Sequence, residues 1–533
     1  MAAVVAAGAL LGGALAPRGE AAATSSAELV KNINPSGDSS PYELTAIGAS
    51  FYFRADDGSH GFELWKSDGS AAGTVMVKDI NPGSGDSDPY ALTVVGTSLY
   101  FQATDGTNGV ELWKSDGTDA GTVMVKDINP SGASVPYWLT VFNGSLYFRA
   151  DDGTNGAELW KSDGSAAGTV MVNDINPGIG YSYPYELTAI GTSLYFSADD
   201  GSHGFELWKS DGTGSGTTIV KDINSGIGDS DPYALTAVGT LLYFQATDGT
   251  NGYELWKSDG TAAGTVMVKD INPGGGSSYP TSFTAVGTSF YFSADDGSHG
   301  FELWKSDGSA AGTTMVADTN PGIGGSDPSY FAAIGAILYF GASDGVHGSE
   351  LWRSDGNAAG TAMVKDIDPG AGNGNPYYLA AIGSSLYFVA SDGSHGFELW
   401  KSDGSAAGTA MVADINPGVG NSNPDSNPNG LFVFNSHLFF QADDGTNGYE
   451  LWKAGDFSPP ETQIDSGPSG ATADSTPTFT FSSDEAGTFQ CSVDGGAMSA
   501  CSSQSTLAAL TDGAHTFSVR AIDSSANVDA SPA

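Results

Sequence analysis

Cysteine is almost missing from this chain. The 533 residues contain two, Cys491 and Cys501, both near the C-terminal end. Basic residues are scarce as well: 19 Lys and Arg stand against 62 Asp and Glu, for a net charge of -43. Such a surface repels phosphate backbones and anionic membranes, which excludes nucleic-acid binding. Past the first two dozen residues there is no apolar run of the roughly 18 residues needed to cross a bilayer. No run of a dozen residues shows helical periodicity. Aromatic residues are not lacking, at 11%, and this excludes a disordered chain. With 75 glycines, the composition points to a turn-rich β protein.

What is present is one unit copied many times. Glu-Leu-Trp followed by a basic residue places a tryptophan at Trp65, Trp113, Trp160, Trp208, Trp256, Trp304, Trp352, Trp400 and Trp452. The spacing is 48 residues, except for one step of 47 and a last step of 52. A fixed period of this length indicates a repeat architecture. One unit starts at Pro89 and has four short apolar runs: PYALTVV (A), SLYFQA (B), VELWKSD (C) and TVMVKDI (D). Gly, Asp, Asn or Pro bounds each run, as expected of strands joined by tight turns. Four antiparallel strands in about 45 residues make one propeller blade. Contiguous Leu-Tyr-Phe and Leu-Trp predict strands buried on both faces.

Runs A, B and C occur nine times, but D follows only eight of them. The missing D is found at the other end of the chain, as LVKNINP at residues 29–35. The expectation is a nine-bladed ring in which the N-terminal strand completes the last blade; an open superhelical stack is the alternative. The repeats span residues 26–453.

The unit resembles the bacterial ELWxxDGT repeat family, here ELWKSDGT at Glu111–Thr118. Its LYF…ELW hairpin is similar to a kelch-type blade. The resemblance implies an extracellular propeller without defined chemistry. Residues 461–533, reached through a linker at 454–460, carry alternating strands such as TFQCSVDGG and HTFSVRAID and resemble bacterial Ig-like domains. The family's final strand would follow Ala533, so an incomplete Ig-like β-sandwich is expected. Cys491 and Cys501 read as one disulfide across a hairpin, with two free thiols as the alternative. Residues 1–23, an apolar run ending in Ala21-Ala22-Ala23, read as a cleaved secretory signal, although no basic residue precedes the run.

Nine copies allow the chain to be compared with itself. His60, His203, His299, His347 and His395 occupy the slot held by Asn108, Asn155, Asn251 and Asn447. A required metal ligand or general base would not be exchanged for Asn, so these read as turn residues. Ca²⁺ is the one cofactor the Asp-rich hairpins suggest, but they lack EF-hand spacing. The ELW glutamate is present in every copy and needs a partner; a Glu–Lys or Glu–backbone contact between blades is expected. The lysine of VKD is replaced by Asn173, Ala317 and Ala413, which suggests a solvated outer strand.

The D–A connections vary most, and variable loops on a rigid scaffold carry binding. Asp86, Asp88, Tyr181, Tyr183, Asn373 and Asn375 are the candidates for ligand contact, against a reading as unconstrained drift. No catalytic triad, phosphate loop or zinc pattern stands out. The sequence therefore predicts an all-β chain that is secreted or held at the cell surface. Its expected role is a non-catalytic scaffold binding protein or glycan through the B–C and D–A loops. A polysaccharide-active propeller enzyme and a calcium-stabilised adhesin are the alternatives.

Overall fold

The computed structural model describes residues 26–417, 425–455, 460–484, 487–523, 528–529 and 532–533. The expected signal at 1–23, linker residues 456–459 and residues 418–424 of one D–A connection lie outside the described residues. The chain divides into two units, Ala27–Ala454 and Gly455–Ala533. Apart from a single 3-10 turn at Ala358–Gly360, all regular structure among the described residues is β. None of it is a helix long and apolar enough to cross a membrane.

In the first unit each copy folds as an antiparallel meander A-B-C-D. The first consists of Tyr42–Ile47, Ser50–Asp56, Phe62–Ser67 and Val75–Lys78. Strands B and C pair Phe53 with Trp65 and Tyr52 with Lys66. Nine four-stranded sheets are described. The ninth contains Asn429–Phe434, His437–Asp443 and Tyr449–Gly455, and its fourth strand is Ser26–Lys31.

Alternation along the strands explains why the apolar runs are unbroken. Tyr52 and Leu64 face the second sheet and pack with its Leu99, Phe101, Ala103 and Trp113. Phe51, Phe53 and Trp65 face the other way and pack on Val30, Ile33, Phe439 and Leu451 of the ninth sheet. Neither face of a sheet meets water, so both must be apolar. Such clusters join every consecutive pair of sheets, and this last one joins the ninth to the first. A strands touch the A strands of neighbouring sheets, the first and ninth included.

The ELW glutamate anchors the D–A connection. Glu63 is fully buried; its carboxylate accepts from Ile80 N (2.8 Å), Asn81 N (3.2 Å) and Ser87 Oγ (2.7 Å). Of the two expected contacts, the structure has Glu to backbone. Its partners lie after strand D of the same copy, where the chain crosses to the next sheet. The Trp-following lysine has a different role: Lys66 Nζ donates to Gly117 O of the next sheet at 2.8 Å. The VKD lysine also crosses rather than extending into solvent. Lys126 Nζ donates to Thr169 O at 2.9 Å and lies over the Trp160 ring. Asn173, Ala317 and Ala413 forgo this bond, a tolerable loss for a half-exposed group.

The second unit holds two three-stranded sheets. One comprises Thr462–Ser466, Thr478–Ser483 and Ser505–Thr506; the other Gly487–Val493, Ser499–Cys501 and Phe517–Asp523. Phe479, Phe481, Cys491 and Val519 form its buried cluster. Cys491 and Cys501 are disulfide-bonded across the paired strands Gly487–Val493 and Ser499–Cys501.

Candidate ligand-binding face

The D–A connections and B–C hairpins lie side by side. Ser87 N donates to Phe62 O at the start of strand C, and Thr104 N at the end of the next strand B donates to Ser87 O. The hairpins are built alike. Asp57 Oδ1 accepts from Ser59 N and His60 N, and His60 Nδ1 donates to Asp57 Oδ2 at 2.8 Å. In the second copy Asn108 Nδ2 donates to Asp105 Oδ2 at 2.7 Å. His and Asn are therefore interchangeable as side-chain donors, not because both tolerate positive φ. Burial works to raise the Asp57 pKa, but the bonds from His60 and the backbone outweigh it and hold the carboxyl below its ordinary value. Among the described residues no group of three or more His, Cys, Asp or Glu is arranged to hold a metal.

The six candidates fall into two slots of the connection. Asp86, Tyr181 and Asn373 share the first. Asp86 Oδ1 accepts Phe62 N–H and Asn373 Oδ1 accepts Ser349 N–H, both at 2.9 Å. These two cap a hairpin and are committed to it. Tyr181 forms no such cap and instead stacks on Tyr183, with ring centroids 5.1 Å apart. Asp88, Tyr183 and Asn375 share the second slot, immediately before a proline, with φ of 46°, 44° and 44°. The three pairs belong to three different connections, and only Tyr181 and Tyr183 are brought into contact.

The sequence reading missed a third slot, the second residue of strand A. It too is left-handed in every copy: Glu43, Ala91, Trp138, Glu186, Ala234, Ser282, Tyr330, Tyr378 and Gly430. The register slips there, as between Tyr42 and Thr45, so each is a β-bulge. Asn, Asp and Gly suit such backbone; aromatic residues do not. Yet aromatics occupy it at Trp138, Tyr330 and Tyr378, and the pre-proline slot at Tyr183 and Tyr279. Four of these remain exposed: Tyr183 (44%), Tyr279 (47%), Tyr330 (51%) and Tyr378 (38%). Aligning the nine copies on these two slots is the signal that could have found them.

Around these tyrosines lie other polar groups. Tyr253 Oη donates to Asp231 Oδ2 at 2.7 Å. Burial pushes the Tyr185 phenol up to about 12, and burial also raises the Glu43 and Glu186 carboxyls. Glu186 Oε2 accepts Leu235 N–H from the next sheet at 3.0 Å. Arg54 donates to Asp88 at 3.1 Å. Arg149 lies over both Tyr137 (5.5 Å) and Tyr183 (5.7 Å), and burial lowers its pKa. The face can stack flat apolar surfaces and exchange hydrogen bonds at their edges.

No protein-family model matches the chain, and no curated protein matches it. Among solved structures it is similar to the computationally designed Ika8 protein, at 16% identity and a TM-score of 0.39, over 68% of this chain and 97% of that one. It is similar to a prolyl endopeptidase at 12% and 0.38, over 84% of this chain and 55% of that one. A puromycin-hydrolyzing peptidase of Mycobacterium tuberculosis matches at 10% and 0.34, over 74% and 58%. The chain thus spans little more than half the length of either peptidase. Likenesses this distant carry no argument about activity.

Proposed function

We propose that the first unit is a nine-bladed β-propeller of the ELWxxDGT type, closed by its N-terminal strand, and that the second is an Ig-like sandwich. The closed cycle of inter-sheet clusters and the sharing of the ninth sheet between both ends support the ring. On this reading the protein is a secreted or cell-surface scaffold without catalytic activity. It binds protein or glycan through the B–C and D–A loop face. The apolar run at 1–23 supports export.

One observation carries the binding role: exposed aromatic side chains held on left-handed backbone. Strain of about 1–3 kcal/mol at such a position persists where something other than folding selects the residue. Asp, Asn, Ser or Val fills the pre-proline slot in other copies and Glu, Ala, Ser or Gly the strand-A slot, so the fold does not need rings there. The test replaces Tyr183 and Tyr279 with Asn, and Tyr330 and Tyr378 with Ser. The expected result is an unchanged or higher melting temperature, with loss of binding in glycan-array and pull-down screens against the parent chain. A variant that keeps every partner of the parent refutes the role.

A further inference from the structure

Among the described residues of the first unit, the third sheet holds a cation without the oxygen partner that the others have. In a chain of net charge -43, basic side chains are normally taken up. Lys66 donates to Gly117 O, Arg353 to Gly404 O and Arg54 to Asp88. Arg149 has the two tyrosine rings as neighbours, and no oxygen acceptor for its guanidinium is found among the described residues. A guanidinium presents five N–H donors in a planar fork, a geometry that fits a carboxylate bidentately.

The first sheet shows what the missing partner looks like. Arg54 and Arg149 occupy the same place in strand B, opposite the first residue of strand A: Tyr42 pairs with Arg54 and Tyr137 with Arg149. Thirty-four residues after Arg54 comes Asp88, whose carboxylate meets the guanidinium at 3.1 Å. Thirty-four residues after Arg149 comes Tyr183, with the same left-handed φ but no charge. The carboxylate has been replaced by an exposed ring. That ring stacks on a second exposed ring, Tyr181, and Trp138 meets Tyr137 edge-on at 5.6 Å.

We infer that Arg149, flanked by Tyr137, Tyr181 and Tyr183, binds the carboxylate of a uronic-acid residue in an acidic glycan, in the position that Asp88 takes toward Arg54. The guanidinium pairs the carboxylate, and the exposed tyrosine faces receive the C–H side of a pyranose ring. Flat, paired aromatic faces beside the charge favour a sugar over a peptide carboxylate, which offers no comparable flat surface. The chain's negative charge opposes the ligand at long range. Screening confines that opposition to about 10 Å at 0.1 M salt, so contact in the site decides the outcome. The inference rests on the reading of this face as a binding face and names its ligand class.

The test is calorimetric titration of the full chain with a galacturonic-acid trisaccharide and with its carboxyl-reduced, neutral counterpart. The acidic sugar is expected to bind, and the neutral one about 10-fold or more weaker. Arg149→Gln loses the same factor. Tyr183→Asp, which installs the internal carboxylate of the first sheet, abolishes binding with the melting temperature unchanged. Arg54→Gln binds as the parent does. Equal affinity for both sugars, undiminished by Arg149→Gln, overturns the carboxylate assignment and leaves the aromatic face standing. Failure of every oligosaccharide, with protein capture that still depends on the tyrosines, overturns the glycan assignment alone. Failure of both sugar binding and tyrosine-dependent capture overturns the face as well. Arg149-dependent binding of a Glu-rich peptide in place of the acidic sugar also counts against the glycan.

Discussion

The units Ala27–Ala454 and Gly455–Ala533 are both antiparallel β structures, but they hold together by different means. The larger has no cysteine. Its cohesion comes from nine aromatic clusters, each completed by the neighbouring sheet, and from one strand that precedes all the repeats and joins the last sheet. Among its described residues the smaller has one buried cluster of four, Phe479, Phe481, Cys491 and Val519, and a disulfide that joins its Cys491 to Cys501. A small buried cluster supplies little stability by itself, and a covalent staple adds to it. Repetition removes that need, provided no sheet is left without a neighbour.

The comparison breaks first at the shared sheet. Changing Val30 and Ile33 to Asp puts two charges into the cluster that joins the ninth sheet to the first. The expected loss is more than about 5 kcal/mol from the large unit, from buried unpaired charge and lost packing. Calorimetry should show the large transition collapse while the small unit's transition stays in place. The converse change, Cys491→Ser with Cys501→Ser, should remove about 2–4 kcal/mol from the small unit only. Limited proteolysis would then cut within 461–533 and spare the repeats.

A finer test concerns the buried glutamates, which the small unit lacks among its described residues. Burial pushes Glu63, Glu158, Glu206, Glu254, Glu350 and Glu398 up to about 7, against the bonds they accept. The geometry accommodates the proton. Ser87 Oγ lies 2.7 Å from Glu63 Oε2 and 3.1 Å from Phe62 O, so a protonated Glu63 donates to the serine, which donates to the carbonyl. A carboxyl whose pKa is raised on folding gives its full contribution below 4.5 and loses it as pH rises through about 7. The large unit should therefore melt at lower temperature at pH 8 than at pH 5, and more steeply so than the small unit. Below pH 4 the trend reverses, because Asp57 and its counterparts, held below their ordinary value, are then protonated. At pH 6, Glu206→Gln with Glu254→Gln should cost about 1–3 kcal/mol per site. A Gln amide would turn a second N–H toward Ile223 N or Ile271 N, where only an acceptor fits.

The repeats were legible because the signals for them are local. Trp65 and its eight counterparts mark the period, and Gly and Pro mark the strand ends. The match of residues 29–35 to VKDINP pointed to the strand that completes the ninth sheet. The side-chain economy was not legible, since its partners lie in the next copy. Lys66 reaches Gly117, and Lys126 reaches Thr169, across sheets whose facing is a tertiary fact. The same holds for the candidate face. Asp86 and Asn373 stand out in the sequence by their variability, yet they cap hairpins. Arg149 does not stand out in the sequence, because one arginine in a strand carries no pattern until it is set beside Arg54 and Asp88.

The strand Ser26–Lys31 also imposes an order in time. It leaves the ribosome before the other three strands of its sheet, and it finds its partner only after Glu450, to which Ile33 bonds across 417 residues, has been made. At about 5–20 residues per second this wait is roughly 20–80 s. Throughout that interval the nascent chain carries this strand with an unpaired edge and a growing row of finished sheets after it. A neighbouring nascent chain on the same message presents the same edge, so crowded translation is where two copies would exchange this strand.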